Sequence, residues 1–133
     1  MQDPPSAREL IRAVAEFLRV HAMPELTGHT AFHARVAANV LDIVERELAL
    51  AGEANAAEHA RLRMLLGSDG TLEELNRRLC ERIEAGELGE ATPGLADHLW
   101  ATTLAKLAID QPGYSAYRRA LASAEGGAPP TAA

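Results

Sequence analysis

An all-α chain is what this sequence predicts, arranged as an up-and-down-like antiparallel bundle of five helices in a single domain. Three observations predict it. Apolar residues recur at spacings of three and four, and no segment sustains the apolar-polar alternation of a strand. Two Ser/Thr-x-x-Glu signatures mark helix starts. The breaks between helical runs are short, which favours antiparallel neighbours.

The first helix opens at Ser6-Ala7-Arg8-Glu9, after a lead-in over residues 1–5 that ends in Pro4-Pro5. Leu10, Ile11, Val14, Phe17 and Leu18 give it an apolar face, and Pro24 forbids its continuation. The opposite face, Arg8, Arg12, Glu16 and Arg19, is expected in water. A second, longest helix is expected from about Thr30 to Leu50, with Gly52 as its stop. The third, about Ala54 to Leu66, is Ala-rich, carries Leu62 and Leu65 and ends in the turn cluster "GSDG". Thr71-Leu72-Glu73-Glu74 starts the fourth, which carries Leu72, Leu75, Leu79 and Ile83. Thr92-Pro93 starts the fifth, with threonine as cap and proline in the first turn, and it runs to about Ile109. Pro112 and Gly113 break it. A turn from Tyr114 to Leu121 makes a sixth helix if it is counted, so the domain spans 6–121 and the tail 122–133 reads as disorder.

The 133 residues suffice for one domain with a core. The core must rest on small residues between closely spaced helices, because 47% of the chain is hydrophobic but only 4% is aromatic. A net charge of −6, with no basic cluster beyond Arg77-Arg78 and Arg118-Arg119, disfavours nucleic acid, whose phosphates need a basic face. Lys106 is the only lysine among 13 basic residues, a bias that fits GC-rich coding better than guanidinium chemistry. The lone Cys80 cannot form an internal disulfide and is expected to be buried, which fits a reducing cytoplasm. Apolar runs are interrupted by charge well before the ~18 residues a membrane span needs, and the N-terminus has no basic-then-apolar leader pattern. A cytoplasmic protein without membrane attachment is the expectation.

The densest chemistry lies in "LTGHTAFHARVAANVLDIVEREL". His29 and His33 stand four apart, the spacing by which helical histidines share a zinc ion. Neither a His-Glu-x-x-His motif nor a second cysteine accompanies them, and His29 precedes the helix if Thr30 caps it. No metal and no cofactor is therefore assigned, and the two histidines remain binding candidates.

On a wheel at about 100° per residue, Phe32, Val36, Val40, Ile43 and Val44 form an apolar stripe. Beside it Arg35, Asn39, Asp42 and Arg46 form a polar ridge. Pairing of Asp42 with Arg46 along the helix is worth only ~0.3–0.5 kcal/mol, so the ridge reads either as a solvated face or as a binding edge. Glu47 falls within the stripe, and a core-facing carboxylate must be paired or neutral. The expected partner is a base on another helix, Lys106 or an arginine. Asp97 and His98 are adjacent, point to different faces and make no dyad. Ser6, Ser68 and Ser115 lie in a cap, a turn and a helix break, so no nucleophile elbow is present. Trp100 is expected as a core or interface anchor.

Together, "PSARELIRAVAEFL", "AFHARVAANVLDIVEREL", "LNRRLCERIEAGEL" and "HLWATTLAKLAIDQPGY" resemble a bacterial family of small helical proteins, the domain of unknown function 6285. The resemblance runs from about Pro4 to Tyr117. It implies an accessory role beside aminoglycoside-phosphotransferase-like kinases and acyl-CoA dehydrogenases, and it supplies no catalytic residues. Two functional expectations follow. One is a non-catalytic interaction module that binds a protein partner or dimerises. The other is a small enzyme or ligand-binding protein with a polar cleft along the second helix.

Overall fold

Two capping boxes form as the sequence predicts, and they set the starts of two helices. Ser6 donates its backbone N–H to Glu9 Oε2 at 2.7 Å and accepts from Glu9 N–H at 3.4 Å. Thr71 and Glu74 repeat the exchange at 2.8 and 3.2 Å. Each box satisfies donors that a helix start otherwise leaves orphaned.

The computed structural model describes residues 4–125. Among them are five α-helices and no strand: α1 (Ala7–Phe17), α2 (Gly28–Leu66), α3 (Leu72–Glu84), α4 (Leu95–Asp110) and α5 (Ser115–Glu125). The family of small helical folds expected from periodicity is the one observed, with a different division of the chain. The expected second and third helices are one 39-residue helix, α2, that runs through Gly52. A lone glycine costs a helix about 1 kcal/mol, and the surrounding Leu, Ala and Glu residues favour helix enough to carry it. The optional sixth helix is real, becomes α5, and extends past Leu121 to Glu125. Of the expected tail and lead-in, residues 126–133 and 1–3 lie outside the described residues.

The chain divides into two compact units, Met1–Gly52 and Glu53–Ala133. In the first, α1 is extended by a π-helical turn, Leu18–Ala22, and a 3-10 turn, Met23–Glu25. It then reverses into α2. Arg8 reaches Glu45 and Arg19 reaches Asp42 and Ala38, so α1 and the N-terminal half of α2 run antiparallel. The buried residues here are Ala15 and Ala38, both small enough for close approach.

The second unit holds the leucine core: Leu62, Leu75, Leu79, Leu88 and Leu95, with Leu65, Leu66 and Leu72 packed against them. The "GSDG" turn forms as expected. Gly67 takes the left-handed conformation (φ 61°) that ends α2, and Arg63 pairs with Asp69 across the turn at 2.5 Å. At the end of α3, Glu87 N–H bonds the Arg82 carbonyl and Gly86 N–H the Ile83 carbonyl, a Schellman motif with Gly86 at φ 73°. The turn directs Leu88 into the core.

Three expectations are corrected. Thr92 does not cap the fifth helix: its hydroxyl accepts from Gly89 N–H at 3.0 Å, and α4 starts from Gly94, at φ 81°, with no side-chain cap. Cys80 is exposed, because Leu75 and Leu79 point α3's core face elsewhere. Of the two roles expected of Trp100, core or interface anchor, the core role is excluded by its 54% exposure.

Candidate functional site

In the first unit arginines of α1 and its extension meet carboxylates of α2, while several large apolar side chains of both helices are exposed. On α1, Arg8, Arg12, Ala15 and Arg19 follow at helical spacing and all look toward α2. Arg8 donates to Glu45 Oε1 through Nε at 3.0 Å and Nη2 at 2.6 Å, and Arg12 Nη2 donates to the same oxygen at 2.9 Å. Arg19 grips Asp42 with two bonds, at 3.1 and 2.5 Å, while its Nη2 also donates to the Ala38 carbonyl and Asn39 Oδ1. Hydrogen bonds from Arg8 and then Arg12 hold the Glu45 carboxyl below the usual range, outweighing the desolvation that opposes them.

The face of α1 expected in water is exposed, and three of its residues, Arg8, Arg12 and Arg19, also reach α2. Of its expected core face, Leu10, Val14 and Phe17 are exposed, Phe17 by 56%, and Ile11 and Leu18 are half-buried. The stripe on α2 is divided likewise: Phe32 is 58% exposed, Val36 and Val40 are exposed too, and Ile43 and Val44 are half-buried. Positions 38, 42 and 45, which meet α1, lie across the helix from this stripe.

The ridge on α2 is thus split in use. Asn39 and Asp42 are engaged by Arg19, Arg35 is exposed and Arg46 half-buried. Because α2 starts at Gly28 rather than Thr30, His29 and His33 do share one helical face, but both are exposed and lie about a third of a turn from the ridge. His33 stacks edge-on against Phe32, with ring centroids 5.5 Å apart. Among the described residues no three His, Cys, Asp or Glu side chains gather as a metal site. Glu47 is exposed, in a recess of about 370 Å³ with Val44, Leu48, Ala51 and Gly52. Lys106 is exposed as well. The buried pair expected of Glu47 and Lys106 is therefore corrected: neither is buried, because α1 docks on positions 38, 42 and 45 and leaves the stripe open.

The second unit holds a site that motif reading missed. His98, on α4, is 2% exposed and is the one buried polar residue among those described. Its Nδ1 has no hydrogen-bond partner, and neither has the buried Nε of Arg61 on α2. Both residues line a cavity of about 280 Å³ with Met64, Leu65, Pro93, Gly94 and Asp97. Burial, then the Arg61 charge, pushes the His98 pKa down, against a smaller opposing pull from Glu58. Arg61 Nη2 lies 3.5 Å from Thr102 Oγ1, and Asn76 on α3 donates to Glu58 Oε1 at 2.8 Å. One sequence signal was available. His98 stands three after Leu95 and four before Thr102, on the inward face of its helix.

These features define an all-α protein with an apolar-faced helical hairpin in one unit and a buried histidine beside a cavity in the other. Residues 24–114 match the family model described as Domain of unknown function (DUF6285), and the chain belongs to that family. No curated protein and no solved structure matches it. No helix among the described residues is long and apolar enough to cross a membrane.

Proposed function

We propose that the protein is a non-catalytic helical interaction module, and that its N-terminal hairpin joins a second copy of the chain through the exposed apolar face of α2. The observation that carries this reading is that α1 and α2 meet through Ala15, Ala38 and arginine-carboxylate bonds, leaving Leu10, Val14, Phe17, Phe32, Val36 and Val40 exposed. From their fractional exposures these six side chains leave on the order of 600 Å² of apolar surface in water, about half of it on α1 and half on α2, on opposite sides of the hairpin. A standard interface buries ~800 Å² per partner, so a dimer joined through one of these faces also buries the polar positions around it. Covering the apolar face stabilises association by ~25 cal/mol per Å², before the losses of ordering and translation are subtracted. A self-complementary apolar face also needs no opposite charge from its partner, which suits a chain of net charge −6.

Sedimentation velocity over a hundredfold range of concentration tests the reading. A mass that rises toward twice the monomer supports it. A monomer throughout removes it.

A further inference from the structure

Two buried nitrogens without partners, on two residues that line one cavity, need an explanation, because a buried donor or acceptor left unmet loses the hydrogen bond it made with water. His98 Nδ1 and Arg61 Nε are those atoms, and both residues line the 280 Å³ cavity of the second unit. The leucine core does not account for them, since neither bonds to it. The cavity is also placed at the start of α4, where Gly94 offers no side chain to cap the first N–H groups. Those groups and the helix dipole favour negative charge, as does the Arg61 guanidinium. The remaining wall, Met64 and Leu65 among it, is apolar.

We propose that this cavity binds a small aliphatic carboxylate, whose oxygens accept from Arg61 Nε–H and from His98 in its Nδ1–H form once these covered nitrogens turn toward the cavity, while its short chain packs on Met64 and Leu65. The size fits: ligand sites start near 300 Å³, so the occupant has only a few carbon atoms. The charged groups around His98 are Arg61 and Glu58 on α2 and Asp97 on α4. Asn76 of α3 holds Glu58 by its carboxylate. Asp97 is exposed in the first turn of α4 and lines the cavity, so its negative charge opposes an incoming anion. The site lies in the second unit and does not depend on the hairpin reading.

The test is titration of the ¹⁵N-labelled full chain with butyrate at constant ionic strength, following the ring nitrogens of His98. A saturable shift is expected, with the His98 pKa raised at saturation, because the bound anion offsets Arg61. Arg61→Gln weakens butyrate at least tenfold, and Arg61→Lys recovers part of the loss. Asp97→Asn, at an exposed position, strengthens it severalfold and serves if the Arg61 variants fail to fold. Absence of a saturable His98 shift overturns the proposal, as does an Asp97→Asn protein that binds no tighter. Equal shifts with inorganic phosphate and butyrate overturn the assignment of an aliphatic carboxylate.

Discussion

Arg19 on the extension of α1 holds Asp42 on α2 by two hydrogen bonds, at 3.1 and 2.5 Å, and so fixes the first unit through charge rather than through apolar packing. Such a fork is directional, which sets the register of the two helices. Arg19 also reaches the Ala38 carbonyl, so its loss removes contacts at two levels of α2. Both side chains are 39% exposed, which moderates the energy. Arg19→Ala is expected to destabilise the chain by about 1 kcal/mol in urea unfolding. Arg19→Lys recovers little of it, because an ammonium cannot reproduce the fork.

Acidification weakens the same seam. The folded-state pKa of Glu45 lies below its ordinary value of 4.5, so the unfolded chain takes up the proton first. Its contribution is complete above about pH 4.5 and is lost as pH falls through the lower, folded value. The capping acids Glu9 and Glu74 act in the same direction. Thermal melts from pH 7 to pH 3 are expected to show this loss, and Glu45→Gln flattens the profile.

His98 adds a second acid-sensitive step at higher pH. Burial and Arg61 lower its pKa from 6.5, so below pH 6.5 the unfolded state binds a proton that the folded state refuses. Stability therefore falls with pH from about 6.5 down to the folded value, and no further below it. Replacement His98→Asn removes that slope while leaving the Glu45 step in place.

Gly52 gives a prediction of opposite sign. It lies inside α2, it is absent from the glycines of positive φ, and a Cβ there meets no atom within 4 Å. Gly52→Ala is expected to stabilise by ~0.5–1 kcal/mol. Gly94→Ala is expected to destabilise, since Gly94 sits at φ 81° at the head of α4.

Much of the local structure was legible in the sequence because it is written in local chemistry. The boxes at Ser6 and Thr71, the "GSDG" turn and the helical spacing of Leu72, Leu75 and Leu79 each depend on a few neighbouring residues. Gly52 misled because helix breaking is a balance of propensities, and here the neighbours outweigh one glycine. The site was less legible. Periodicity marks Phe32, Val36 and Val40 as a stripe but does not say what covers it, and the arginines of α1 turned out to meet α2 instead. His98 was passed over because an isolated histidine on an inward face shares no motif with Arg61, which lies on a different helix.

The central claim is that the exposed apolar face of α2 is an interaction surface, and the masses of wild type and Val36→Glu, determined side by side by light scattering at equal concentration, test it most directly. Val36 is exposed, so the charge costs the isolated fold little and circular dichroism should be unchanged. The predicted result is a dimer for wild type and a monomer for the variant. Equal masses for the two proteins would contradict it.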